Sequence, residues 1–175
     1  MNTMEESFYA EVYKAFDFLV VDYGYTRNFD TSKLQVDPRD FQIDVLYTNS
    51  SINLVVNIFW IPSVAQIDIG FIELHAKSMS RDTPVSYFGN YSGNSHGILL
   101  RMYAEMIGHT NDPDFLLKNQ DVNYGKDLAR RKRLIENGTQ PIIEGLARAT
   151  RRYTGAILLG DTSMFLKVLQ YTHDR

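Results

Sequence analysis

A serine flanked by glycines is the feature of this 175-residue chain that looks most like a catalytic motif. Residues 93–97 read Gly-Asn-Ser-His-Gly, the G-x-S-x-G pattern in which Ser95 would be the nucleophile and His109 or His173 the base. A nucleophile elbow follows a buried parallel strand, whereas the residues before this motif are polar and the sheet is predicted to consist of hairpins. We therefore interpret the motif as a glycine-rich entry to a helix with Ser95 as its N-cap, and keep a small hydrolase as an alternative.

Glu73 and His75 form a second candidate pair, since residues two apart on a strand share a face. Such a pair could act as a general base or supply two metal ligands, and the alternative is a hydrogen-bonded surface pair. The four histidines form no H-x-H or H-E-x-x-H pair, and the absence of cysteine excludes thiol nucleophiles, thiolate metal sites and disulfides. We predict no catalytic residue, no metal site and no cofactor.

Positive charge is concentrated in residues 126–152, which carry eight lysines or arginines and three acids. The whole chain has a net charge of -3, so the remainder is strongly acidic. Arginine clusters on helices can clamp phosphates, which makes nucleic-acid or phosphate binding by this segment an alternative function. Because no aromatic residues interleave with the charges, we favour a solvated helix face and predict no nucleic-acid partner.

Two runs of alternating apolar residues predict the strands that must position the candidate functional residues. Turns at residues 49–51 and 62–63 divide them into predicted antiparallel strands near 41–48, 52–61 and 64–75. Since side chains alternate along a strand, the middle strand has one apolar face and one mixed face. The apolar face comprises Ile52, Leu54, Val56, Ile58 and Trp60, and the mixed face comprises Asn53, Val55, Asn57, Phe59 and Ile61.

The mixed face also carries acidic groups. A bulge at Gly70 is predicted to turn Glu73 and His75 towards it. A face of this composition is either covered by another element or free for a partner. We expect it to gather Asp44, Asn57, Phe59, Asp68 and Glu73.

Residues 77–95 form a predicted loop that is longer than most connections and rich in small polar residues. Tyr87, Phe88 and Tyr91 lie in it outside any periodic core pattern. Aromatic residues are enriched in protein interfaces, so the loop could extend a binding surface. It could equally plug the open end of the sheet, or close as a lid over the pocket of a hydrolase or ligand-binding domain.

Helical periodicity predicts a first helix over residues 5–22, ended by Gly24, and a helical part over residues 96–175. Gly138 and Pro141 are predicted to split its longest helix. Strands followed by helices indicate an α+β fold.

We predict a single domain over residues 1–175, with an antiparallel meander of three to five strands within about residues 25–76 and helices packed on one face. The first six residues do not resemble a signal peptide, and no window is apolar enough to span a membrane. We therefore expect a cytoplasmic protein without membrane contact.

The layout of the chain is similar to that of small uncharacterised bacterial α+β proteins of the toxin-immunity type. The similarity is carried by three short segments: Phe-Leu-Val-Val-Asp-Tyr-Gly-Tyr at 18–25, Asp-Val-Leu-Tyr-Thr-Asn at 44–49 and Leu-Leu-Gly-Asp at 158–161. The resemblance implies a cytosolic non-enzyme that masks a toxin with an acidic surface, and it assigns no binding residues.

From the residues themselves we predict a protein-binding module, because negative charge around a few apolar anchors gives an interface both on-rate and affinity. A second copy of the chain is the other partner left open. The predicted partner-binding residues are Asp44, Asn57, Phe59, Asp68, Glu73, Tyr87 and Tyr91.

Overall fold

The structure, a computed structural model, describes residues 3–28, 34–37, 40–62, 66–74, 95–109, 111–115 and 137–174. Two helices precede a sheet, and the other helices follow it. In chain order the elements are α1 (Thr3–Ala15), α2 (Asp17–Val21), β1 (Thr26–Asn28), β2 (Leu34–Asp37), β3 (Asp40–Asn49), β4 (Leu54–Ile61), β5 (Gln66–Leu74), β6 (Ser95–Leu99), α3 (Leu100–Met106), a 3-10 turn (Pro113–Phe115), α4 (Gln140–Tyr153), α5 (Gly155–Leu158) and α6 (Phe165–His173).

The sheet is antiparallel, with the strand order β1-β3-β4-β5-β6, and β2 pairs separately with β3. Its centre is the predicted meander of β3, β4 and β5. Pairing between β4 and β5 runs without a shift from Leu54 opposite Glu73 to Ile61 opposite Gln66. The predicted α+β fold with an antiparallel sheet is confirmed.

The helices contribute their apolar residues to the face of the sheet that carries Val45, Val56 and Ile58. α1 packs against α4, while α6 packs against α3 and β6. The side chains of Val45, Val56 and Ile58 are each at most 2 % exposed, as expected where the apolar stripe of a helix covers a strand face. The helical part of this core includes Phe8, Val12, Phe16, Leu100, Ala104, Ile143, Phe165 and Val168.

Glycines with positive φ lie at the ends of several elements, and Gly24 ends the first helical segment where the sequence predicted it. Gly24 follows α2 with a φ of +69°, and the next backbone N–H, that of Tyr25, donates to the Leu19 carbonyl at 2.9 Å. Gly108 follows α3 and Gly138 precedes α4, both also with positive φ. Pro141 lies in the first turn of α4, where its missing N–H costs no hydrogen bond.

Two predicted elements differ from the structure. The helix predicted over residues 5–22 is interrupted at Phe16, so that α1 and α2 are separate segments. Residues 95–99, predicted as the entry to a helix, instead form edge strand β6, and Leu99 rather than Ser95 is the N-cap of α3. The chain therefore returns to the sheet once more before its helical part begins.

Candidate binding site on the second face of the sheet

The mixed face of the sheet brings two aspartates into one row. We call this the outer face; it carries alternate residues of β3, β4 and β5. Asp44 is paired with Phe59, and Phe59 is paired in turn with Asp68. Neighbouring strands are about 4.8 Å apart, which places the two aspartate Cα atoms roughly 10 Å from each other with the phenylalanine between them.

The outer face is buried. Asn57 and Phe59 are 0 % exposed, and Asp44 and Asp68 are each 4 % exposed. The expectation that these four side chains form an exposed surface is therefore wrong. Of the two states that the sequence allowed for this face, covered or free, the structure shows the covered one.

Asp44 is the centre of a hydrogen-bonded group that includes Gln42 of the same strand. Its Oδ1 accepts a hydrogen bond from Gln42 Nε2 at 2.8 Å and another from Asn57 Nδ2 at 2.7 Å. We call Gln42, Asp44, Asn57 and Asp68 the polar row. The orientation of the Asn57 amide follows from this contact, because only its nitrogen can donate to a carboxylate oxygen.

Three acceptor atoms of the polar row are buried and accept no hydrogen bond from the described residues: Asp44 Oδ2, Asn57 Oδ1 and Asp68 Oδ2. Asp68 Oδ2 has an ion-pair partner in Arg101, whose Nε lies 3.3 Å away. The other two atoms belong to Asp44 and Asn57, which are joined by the hydrogen bond from Asn57 Nδ2 to Asp44 Oδ1, so Asp44 Oδ2 and Asn57 Oδ1 lie beside that bond. A buried acceptor with no donor costs free energy, and more so when it carries charge.

Gly70 is the residue of β5 opposite Asn57, and it contributes no side chain to the outer face. The regular pairing through this position means that the predicted bulge is absent. A glycine inside a regular strand often marks a place where a ligand or another backbone approaches closely.

Burial raises the pKa of the Asp44 carboxyl, and the hydrogen bonds from Asn57 and Gln42 partly oppose that shift. The structure thus makes the charged form of Asp44 less favourable than it would be in water. Among the described residues, no lysine or arginine forms an ion pair with Asp44. A positively charged group next to Oδ2 would stabilise the carboxylate.

Asp68 has a different environment because Arg101, in the first turn of α3, reaches it. Arg101 Nε lies 3.3 Å from Asp68 Oδ2, and Asp68 Oδ1 accepts the backbone N–H of Ile69 at 2.8 Å. Burial raises the pKa of Asp68 to about 6, although Arg101 and the hydrogen bonds act in the opposite direction. Asp68 is thus an ion-paired carboxylate at one end of the row.

Glu73 does not join the polar row. Because β5 has no bulge, Glu73 lies on the helix-covered face, opposite Leu54 in β4 and His96 in β6. Its Oε1 accepts a hydrogen bond from Thr162 Oγ1 at 2.9 Å, which ties β5 to the segment before α6. The prediction that Glu73 shares a face with Asp68 is wrong.

The remaining predicted site residues are only partly accounted for. His75, Tyr87 and Tyr91 lie outside the described residues, as do residues 77–94 of the predicted loop. Ser95 begins an antiparallel edge strand, which is not the strand-to-helix turn of a nucleophile elbow. His109 stacks on Tyr153 with ring centroids 4.6 Å apart, and His173 is exposed at the end of α6.

The described part of the basic segment is largely neutralised. Arg148 donates to Asp114 Oδ1 through Nε at 3.1 Å and Nη2 at 2.8 Å. Arg152 bonds to Asp112 at 2.5 Å and Asp114 at 3.0 Å. Arg151 lies over the Phe18 ring, 4.3 Å from its centroid. Arg148 and Arg152 thus fix the 3-10 turn and the residue before it to α4, and Arg151 contacts α2. Residues 126–133 lie outside the described residues.

Gln42 and Arg101 belong to the polar row and its edge, and the sequence did not single them out. Gln42 precedes Asp44 by two residues, so the alternation in β3 was a usable signal. Arg101 had no such signal, because its contact with Asp68 depends on β6 joining the sheet at β5.

The described residues contain no group of three or more histidine and acidic side chains that could hold a metal ion. Within the same residues, no helix combines the length and apolar character needed to cross a membrane. Comparison with protein-family models, curated proteins and solved structures gives no match to this chain.

Proposed function

We propose that this protein is a non-enzymatic binding protein whose polar row accepts the ammonium group of a small organic ligand. The observation that carries the proposal is the pair of buried acceptors, Asp44 Oδ2 and Asn57 Oδ1, which accept no hydrogen bond from the part of the chain that the structure describes. Asn57 Oδ1 can only accept hydrogen bonds, and so can Asp44 Oδ2 when the carboxyl is ionised, so the complementary group is a donor. An ammonium group offers three donors and a positive charge.

The charges of the row favour a cation over a neutral donor. Asp68 is paired with Arg101, whereas Asp44 has no cationic side chain from the described residues. One negative charge is therefore left to be balanced. Charge-assisted hydrogen bonds contribute about 1.5–3 kcal/mol each, which exceeds what a hydroxyl would gain in the same place.

Burial favours a small ligand over the surface of a globular partner. A protein surface does not contact side chains that are at most 4 % exposed, whereas a small molecule is normally enclosed by its site. The immunity-type interpretation stays a prediction, supported by the resemblance of layout. If that interpretation is correct, the protein partner contacts residues other than the buried Asp44, Asn57, Phe59 and Asp68.

The test is a comparison of ligands that differ only in charge. Binding of n-butylammonium and of n-butanol is measured by amide chemical-shift titration at pH 7.5 and low salt. We expect saturable shifts with the ammonium ion, centred on β3 and β4, and none with the alcohol.

The variant Asp44→Asn keeps the shape of the site and removes its charge. We expect it to weaken ammonium binding roughly 10-fold or more, the loss of one charge-assisted hydrogen bond. Asp22→Asn, which removes an equal charge from an exposed position after α2, is the matched control and should bind as the native protein does. Equal binding of the ammonium ion and the alcohol, or equal ammonium binding by the native protein and Asp44→Asn, would contradict the proposal that the carboxylate of Asp44 recognises a cation.

A further inference from the structure

We infer that Arg101 sets the charge selectivity of the polar row by occupying its second carboxylate. This inference rests on the proposed function. The native site then takes organic cations with one positive charge, and a site without Arg101 takes linear diamines.

The position of Arg101 suits this role. β6 pairs with β5 so that Leu99 is opposite Gly70, and Arg101 follows two residues later at the edge of the outer face. Its side chain is 33 % exposed, while that of Asp68 is 5 % exposed. The guanidinium therefore reaches from the rim of the sheet to a buried carboxylate, which a ligand cation would otherwise contact.

A charge count gives the selectivity. Asp44 and Asp68 together carry two negative charges when ionised, and the positive charge of Arg101 balances the one at Asp68. A second ligand ammonium would thus meet an already neutralised carboxylate and a like charge, which disfavours binding. With Arg101 replaced by a neutral residue, both ends of the row would accept an ammonium group.

The middle of the row suits a hydrocarbon linker. Phe59 is 0 % exposed and is paired with both aspartates, so an apolar ring separates two acidic ends. A linear diamine has the same order of groups, with methylenes between two cations. The cationic ends would meet the carboxylates while the methylenes lie along the ring.

The experiment compares n-butylammonium with putrescine and cadaverine on the native protein and on Arg101→Gln. We expect the native protein to bind the diamines no more than about twofold tighter than the monoamine, the statistical factor for two equivalent ends. In Arg101→Gln, the preference for the better diamine should rise at least tenfold. Arg101→Lys keeps the charge and should keep the native preference. Arg151→Gln, which removes an exposed charge on α4, is the matched control.

The double variant Asp68→Asn/Arg101→Gln tests the same inference without an unpaired carboxylate. It lacks the second acidic end, so it should show no gain in diamine preference. An unchanged preference in Arg101→Gln, or a similar gain in the double variant, would overturn the role of Arg101. If the native protein binds none of the amines, the proposed function itself fails, and the two failures are thereby distinguished.

Discussion

Asp44 and Asn57, on neighbouring strands, join their side chains through a 2.7 Å hydrogen bond in the centre of a buried sheet face. The bond satisfies one atom of each group, and the other atom of each accepts no hydrogen bond from any described residue. Proteins normally satisfy buried polar atoms, and exceptions are concentrated at functional sites. We therefore expect the unsatisfied atoms of this pair to lower the stability of the ligand-free protein while they favour ligand binding.

The first prediction concerns this effect on stability. Asp44→Asn should raise the free energy of unfolding of the ligand-free protein by about 1 kcal/mol at pH 7.5. Asparagine keeps the Oδ1 acceptor for Gln42 and Asn57 but removes a buried charge. Urea denaturation measures the change.

Asp44→Ala is the comparison that isolates the hydrogen bonds. It leaves the amide donors of Gln42 and Asn57 without their acceptor and should destabilise the protein by about 2 kcal/mol. A clear loss of stability in Asp44→Asn would show instead that the charge of Asp44 supports the fold.

The second prediction is a pH dependence assigned to Asp68. Its pKa is raised to about 6 in the folded protein, so the folded state binds the proton more tightly than the unfolded state does. The resulting stability is fully present below the unfolded pKa, near 3.8, and is lost as the pH rises through about 6. Between pH 5 and pH 7.5 this group should lower the free energy of unfolding by about 1 kcal/mol.

Urea denaturation of the native protein and of Asp68→Asn over that pH range gives the measurement. The difference between the two proteins should change by that amount with pH, because the variant lacks the titrating group. Parallel pH profiles would contradict the assignment.

The three central strands, β3, β4 and β5, followed from local sequence, while the state of their second face did not. Alternation in β4 correctly separated Val56 and Ile58 from Asn57 and Phe59, because the period of two is a property of the strand itself. Whether a mixed face is covered depends on segments distant in the chain, which alternation does not report. Asn57 has the residue type of a solvated position and is nevertheless fully buried.

Gly70 and Ser95 show a second limit of prediction from local sequence. A glycine in a strand is compatible with a bulge or with regular pairing, and only the pairing of Gly70 with Asn57 and Leu99 decides between them. Ser95 follows a polar segment and precedes a helix, so local pattern favoured an N-cap. Its place in β6 is set by hydrogen bonds to β5, which are contacts between segments far apart in sequence.

The third prediction addresses the contacts that fix the 3-10 turn to α4. Tyr153 donates its hydroxyl hydrogen to Asp112 Oδ2, which also accepts from Arg152. Burial would raise the pKa of Asp112, but these hydrogen bonds and that from the Asp114 backbone lower it below its usual range. Tyr153→Phe should therefore reduce the free energy of unfolding by about 1–2 kcal/mol at pH 7, measured by urea denaturation.

A double-variant cycle with Asp112→Asn separates this bond from general packing. The effect of Tyr153→Phe should shrink by at least half in the Asp112→Asn background. Tyr103→Phe, a change of the same kind on α3, is the control and should have little effect. An equal loss in both backgrounds would show that the hydroxyl of Tyr153 stabilises the protein through a contact other than that with Asp112.

The fourth prediction compares two glycines that share backbone conformation but not surroundings. Gly160 has a φ of +97°, and a Cβ placed there would lie 3.1 Å from both Cβ and Cγ2 of Ile52. Gly108 has a φ of +81° and no atom within 4 Å of the same position. Alanine in the left-handed region costs about 1–2 kcal/mol, so Gly108→Ala should lose about that amount. Gly160→Ala should lose more, about 2–4 kcal/mol, because the turn after α5 is also pushed from the β3–β4 connection. Urea denaturation of both variants provides the comparison, and equal losses would show that Ile52 moves aside without cost.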